Sequence, residues 1–213
     1  MRSKNRASGK QERTFIEEAR RAQLVECAIE AIAELGLHRA SLAEIARRAG
    51  ITKQAIFYHF ATRDALIHEV LAVVTRQGAE FMAERSRRQP TPADELRAYI
   101  EANVEYIGSH RDRVRALVSI AMNFTDEDGR SRLLPLDASV YGDSLAPLQD
   151  ILRRGQEQGQ FGEFTPRTMA MTIRAAIDAI GPQLSALPEL DLDGYARDLV
   201  QLFGRATAND ERA

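Results

Sequence analysis

From Thr14 onward the apolar residues recur at intervals of three and four, and no run of β-branched and aromatic residues is flanked by hairpin turns. The pattern predicts an all-α chain of about nine helices. Thr14 to Glu17 reads as a capping box opening a first helix through Leu24, Ala28, Ile32 and Leu35, with Gly36 as its stop. Ser41 to Glu44 is a second box, opening a short helix through Leu42, Ile45, Ala46 and Ala49 that Gly50 ends. Thr52 caps a third, from Lys53 to His59.

A longer helix is predicted over 64–87, striped by Leu66, Val70, Val73, Val74 and Phe81 and closed by Pro90 and Pro92. Thr91 with Pro92 opens the fifth, carrying Leu96, Tyr99, Ile100, Val104 and Ile107. The sixth carries Val114, Leu117, Val118, Ala121 and Met122, and 125–137 is a loop. The seventh covers 144–158. An eighth starts at Thr165-Pro166, carries Met169, Ile173, Ala176, Ile177 and Ile180, and breaks at Gly181-Pro182. The last spans 193–206 with Tyr195, Leu199, Leu202 and Phe203.

The stretch 41–60 has the makings of a helix-turn-helix. Two short helices crossing steeply need a small residue at the contact, a glycine in the turn, and apolar residues locking the pair to a third helix. Ala46 is the small residue, Gly50 the turn, and Ile45, Ala49, Ile51 and Ile56 the lock. A generic αα-hairpin would share the apolar pattern, so spacing alone leaves a helical ligand-binding or scaffolding protein open beside a DNA reader.

Charge tilts the balance. The net charge of -2 conceals a head, residues 1–63, with 12 Lys/Arg against 7 Asp/Glu, and a remainder with 17 against 24. A basic head on an acidic body points to a polyanion at one end. Residues 1–14 hold Arg2, Lys4, Arg6, Lys10 and Arg13 without apolar periodicity and read as a flexible basic arm or a solubilising tail. No apolar run approaches the roughly 20 residues of a membrane span, and no secretory signal is evident. One cysteine, Cys27, fits a cytoplasmic protein and reads as a small buried hydrophobe.

The run Arg21, Ala28, Gly36, Ser41 to Ala46, Ala49 to Lys53, Ile56 to Phe60 and Arg63 to Leu66 resembles the DNA-binding domain of the TetR family of bacterial transcriptional regulators, without a gap. After the basic arm (1–14), the resemblance implies a helix-turn-helix domain (15–63) and a helical effector-binding and dimerisation domain (64–213). It sends the third helix into the major groove of double-stranded DNA, with Thr52, Lys53, Gln54 and Ala55 facing base edges and Tyr58, His59 and Arg63 on phosphates. The chemistry suits those roles: Lys donates to guanine, Gln bonds adenine bidentately, and the methyls of Ala55 and Thr52 suit thymine. Ser41 offers a hydroxyl to a phosphate. Many members carry Gly-Thr where this chain has Gln54-Ala55, Tyr where it has Phe57, and Lys where it has Arg63. Gln54 is therefore the residue expected to set this operator apart.

The resemblance further implies a homodimeric repressor on a palindromic operator, released by a small, partly apolar effector, with no enzymatic activity and no cofactor. Asn103, which interrupts an apolar stripe, and Tyr106, Met122 and Tyr141 are candidate effector contacts. The low-charge stripes of the last two helices, Met169, Ile173, Ile177, Ile180, Leu199 and Phe203, are the candidate dimer interface, and Ile177→Asp is expected to give a monomer.

Three shorter motifs fall away on inspection. Gly142 to Leu145 spells a lipase nucleophile block, but it sits mid-chain in a helical context and no histidine follows His110, so an N-cap by Asp143 or Ser144 is preferred. His68-Glu69 begins a zinc-protease motif, yet Ala72 stands where the second histidine belongs. Asp126 to Gly129 is followed by Arg130 where a calcium loop needs a ligand. No metal site is expected.

Overall fold

The computed structural model describes residues 4–86, 89–125 and 137–209, with side chains described over 16–86, 89–125, 145–184 and 186–209. Helices account for nearly all of it: α1 (Lys4–Leu35), α2 (Leu42–Arg48), α3 (Lys53–His59), α4 (Arg63–Ser86), α5 (Pro92–Ser109), α6 (Arg111–Asn123), α7 (Asp137–Glu157), α8 (Pro166–Asp178), α9 (Ile180–Ala186) and α10 (Leu192–Thr207). An isolated bridge between Phe161 and Ala208 is the extended pairing seen among the described residues. None of the described helices is long and apolar enough to cross a membrane. The fold class is the all-α one the periodicity predicts.

Three helices differ from the sequence reading. The helix α1 starts at Lys4 rather than Thr14. The segment read as a flexible arm lacks proline and is built mainly of helix formers, Gly9 alone costing about 1 kcal/mol relative to Ala. The helix α7 begins at Asp137, so Asp143 and Ser144 lie inside it and neither is an N-cap. The expected eighth helix is two: a proline ring clashes with the carbonyl four residues back, and α8 ends at Asp178, four before Pro182. The tenth helix arises from that break. The predicted loop over 125–137 and the acidic turn Asp126 to Gly129 fall almost wholly outside the described residues.

Two hydrophobic cores organise the chain. The head core joins α1 (Leu24, Ala28, Ile32), α2 (Ile45, Ala46), α3 (Ile56) and the first half of α4 (Leu66, Val70, Val74), and it takes in Ala116 and Ile120 of α6 and Phe124 just after it. The body core gathers α5, α7, α8 and α10 around Ile100, Leu148, Leu152, Ile173, Ile177 and Phe203. The seam between the cores therefore runs through α4 beyond Val74 and through the start of α6, whereas the sequence division falls at residue 63. Cys27 is half-buried against the head core, and burial, then Glu30, pushes its thiol pKa up, which favours the protonated form.

The turn between α2 and α3 depends on backbone geometry. Gly50 sits at φ +67°. Its N–H reaches Arg47 O at 3.3 Å and the Ile51 N–H reaches Ala46 O at 3.0 Å, the paired bonds of a Schellman ending. No atom lies within 4 Å of where a Cβ would stand, so only the left-handed backbone opposes a side chain. Gly50→Ala is expected to destabilise the protein by about 1–2 kcal/mol in urea denaturation. An unchanged midpoint would mean that the turn relaxes.

Candidate nucleic-acid interface

The caps that delimit the helix-turn-helix are in place. Ser41 Oγ accepts from the Glu44 N–H at 3.2 Å, and Thr52 Oγ1 accepts from the Ala55 N–H at 3.2 Å. The pair of helices is held by Ala46, 2% exposed at the crossing, by Ile56, fully buried, and by half-buried Ile51. With α3 anchored by Ile56 on its inner face, its outer face carries Lys53 and Gln54, both exposed, and half-buried Ala55. Ser41, Thr52 and Tyr58 are exposed too, Tyr58 at 74%. His59 is half-buried, edge-on to the Tyr58 ring. Of the side chains expected at base edges and phosphates, Ser41, Thr52, Lys53, Gln54 and Tyr58 are thus exposed, and Ala55, His59 and Arg63 are half-buried.

Several contacts lie beyond the sequence reading. The carboxylate of Glu44 does not close its capping box. It accepts from Arg47 Nε and Nη2 at 2.8 and 2.7 Å and from Arg48 Nε at 2.8 Å. The Arg47 and Arg48 bonds hold it ionised and bring its pKa down to about 2. Arg48 also donates to Glu34 of α1. Glu17, read as the other capping carboxylate, accepts from the Tyr58 hydroxyl at 3.0 Å, tying α1 to the recognition helix.

Arg21 is the head's main polar tie. It donates to the His59 carbonyl and to Glu69 at 3.0 Å, and its guanidinium lies 4.2 Å from the centroid of the Phe60 ring. One α1 side chain therefore fixes both the end of α3 and the start of α4. Arg63, expected on a phosphate, is half-buried and donates to the Leu37 carbonyl. That bond satisfies an open carbonyl in the turn after α1 and constrains where the guanidinium can reach.

In the body the candidate effector contacts separate. Asn103 is buried, its Nδ2 donating to Tyr99 O at 2.7 Å and its Oδ1 accepting from Arg174 Nη1 at 3.1 Å. Arg174 in turn holds Asp178 at 2.6 Å. Burial works against the arginine's charge, but the Asp178 carboxylate and Tyr99 more than offset it and raise its pKa. Asn103 interrupts an apolar stripe because it is a bridge to α8, and its polar groups are already engaged. Met122 is 73% exposed and faces solvent, away from any lining. Tyr141 lies outside the residues whose side chains are described. Tyr106 is buried, and its hydroxyl has no hydrogen-bond partner among the described residues.

The expected dimer stripe is also corrected. Ile173, Ile177 and Ile180 are 0% exposed, Leu199 and Phe203 are buried with them, and half-buried Met169 packs against the same cluster. These side chains make the protomer's own body core. The outward faces of α8 and α10 present Met171 (42% exposed) and Leu202 (58%) instead. No group of three or more His, Cys, Asp or Glu among the described residues is placed to hold a metal ion.

A seven-residue recognition helix, capped, locked to a three-helix head and outward-facing in Lys53 and Gln54, on an all-α body, defines a helix-turn-helix protein with a helical second domain. Residues 24–70 match the family model of bacterial regulatory proteins of the tetR family. The HTH-type transcriptional regulator BetI of Escherichia coli O45:K1 (strain S88 / ExPEC) is 36% identical over 78 residues, 37% of this chain and 40% of that one. The match spans less than half of that relative's length. A TetR-family regulator from Rhodococcus sp. has the same fold, with a TM-score of 0.75 at 17% identity over 86% of this chain and 96% of that one. So does FadR from Bacillus subtilis, solved with stearoyl-CoA, with a TM-score of 0.74 at 20% identity over 85% and 96%. By its head, residues 24–70, the chain is similar to the bacterial regulatory proteins of the tetR family.

Proposed function

We propose that the protein is a transcriptional regulator rather than an enzyme, acting in the cytoplasm as a homodimeric repressor on a palindromic operator and released by a small-molecule effector. The observation that carries this reading is the outward face of α3, where Lys53 and Gln54 stand exposed on a helix fixed by Thr52, Ile56 and Arg21. Thr52 and Ala55 complete the base-facing set, and Ser41, Tyr58, His59 and Arg63 contact phosphates. A single head offers few base contacts. Two heads related by a two-fold axis read half-sites one helical turn apart, about 34–36 Å, or a multiple of it.

Selection of bound duplexes from a random DNA pool, near physiological salt and without added ligand, tests the reading. Enrichment of a palindrome is expected. No enrichment from a well-folded dimer would overturn it.

The dimer reading moves to the outward faces of α8 and α10, where Met171 and Leu202 would form the centre of a four-helix interface with the partner's pair. Met171→Asp combined with Leu202→Asp is expected to yield a folded monomer in sedimentation velocity with an unchanged helical spectrum. A dimer surviving both changes would place the interface elsewhere. For the effector, Tyr106 is the remaining candidate. Its buried hydroxyl lacks an acceptor, and a partly apolar compound carrying an oxygen acceptor would supply one.

A further inference from the structure

The seam between the two cores holds an ionic cluster that neither periodicity nor the DNA-facing surface accounts for. Arg113, in the first turn of α6, donates from Nη2 to both carboxylate oxygens of Glu26 on α1 at 2.9 Å and from Nε to Gln77 Oε1 on α4 at 2.8 Å. One guanidinium thus joins three helices. Its position is the crossover of α6: Val114, the next residue, packs against the body core, whereas Ala116 and Ile120 belong to the head core. Gln77 occupies the matching crossover of α4, between Val74 in the head core and Gly78, where a Cβ would stand in ordinary contact, 3.5 Å, with the Tyr106 ring of α5.

That seam is also where Tyr106 keeps its buried, unpartnered hydroxyl, within electrostatic reach of Arg113 and Glu26. Burial raises the phenol's pKa, so the group stays neutral. A buried hydroxyl without a partner among the described residues marks a junction whose polar groups are not all satisfied in the arrangement seen here. Arg113, with 26% of its side chain exposed and Glu26 at 43%, ties α6 to α1 and α4 across it, while Arg85 further along α4 holds Glu105 of α5.

We propose that Arg113 is the positioning residue that couples body to head. By holding Glu26 and Gln77 together it sets the angle at which α4 leaves the body, and with it the placing of α3 on DNA. The inference rests on the regulator reading for its consequence but not for its physical test. The geometry also separates it from Ser119, whose Oγ accepts from the Leu37 N–H at 3.0 Å on the head side of the seam, away from α4.

The test compares Arg113→Ala, Gln77→Ala and Arg113→Lys with the parent protein by amide hydrogen exchange without DNA, then by affinity for the selected duplex. For Arg113→Ala, exchange across α4 is expected to rise and duplex affinity to fall by about 2- to 30-fold, with the same base preference at every position. Gln77→Ala should reproduce part of the effect, and Arg113→Lys, which keeps the charge but loses the fork, should fall between. Swapping the pair, Arg113→Glu with Glu26→Arg, should recover most of the protection. Unchanged exchange in α4 with Arg113→Ala would overturn the coupling, as would a loss shared evenly by every helix. If Arg113→Ala does not fold, Gln77→Ala decides between the same two outcomes. If no duplex is selected, the regulator reading fails while hydrogen exchange still judges the clamp.

Discussion

Ile177→Asp is expected to unfold the body rather than release a monomer. Ile177 is fully buried among the side chains of the body core. Removing a buried isoleucine side chain costs about 2–5 kcal/mol, and the carboxylate that replaces it must be desolvated or protonated at further cost. Arg174, one turn back, offers no ready partner, since Asp178 and Asn103 already hold it. The total exceeds the roughly 4–5 kcal/mol that marks an exceptional substitution. Against a typical stability of about 5–15 kcal/mol, the folded population should collapse or the melting temperature fall by about 10 °C or more. Circular dichroism melting checks this, and Met171→Asp with Leu202→Asp is the contrast. A well-folded monomeric Ile177→Asp would mean that α8 faces a partner.

The contrast shows what a stripe of apolar positions encodes. Met169, Ile173, Ile177 and Ile180 follow helical spacing, which fixes that one face of α8 is buried but not against whom. Here α7 and α5 cover it from within the same chain, and the outward face is a mixed one that periodicity does not single out. The helix-turn-helix was legible for the opposite reason: its limits are written in local chemistry. Ser41 and Thr52 cap within three residues, and Gly50 closes its turn with neighbouring carbonyls. Even there the reading failed where a long-range or charged competitor intervened. Glu44 was captured by Arg47 and Arg48, and Glu17 by Tyr58, so neither box closed through its carboxylate.

Charged residues were the least legible. Arg21, Arg113 and Arg174 look like solvated surface in sequence, yet each is half-buried and bridges separate helices. A signal existed for Arg174: Asn103 interrupts an apolar face, and a buried amide needs partners. For Arg113 the partners are Glu26 and Gln77, remote in sequence, and no local pattern announces them.

The recognition helix carries the sharper functional prediction, because its two outward residues are expected to fail in different ways from their neighbours. Gln54→Ala should remove preference at one position of the selected palindrome half-site, costing about 1–3 kcal/mol there, and leave binding to duplexes altered at that position nearly unchanged. Lys53→Ala should act likewise at a guanine. Tyr58→Phe, by contrast, removes a hydroxyl that donates to Glu17 here and that is proposed to meet a phosphate on DNA, so affinity should drop about evenly across sequences. Salt separates the two cases for Lys53. If the lysine contacts a phosphate instead of a base, its loss lowers the slope of log affinity against log salt by about 1 with no change in base preference. A changed logo at constant slope assigns it to the major-groove floor. An unchanged logo for both Lys53→Ala and Gln54→Ala would mean that the exposed face of α3 does not read the operator, and that the specificity of this head lies elsewhere.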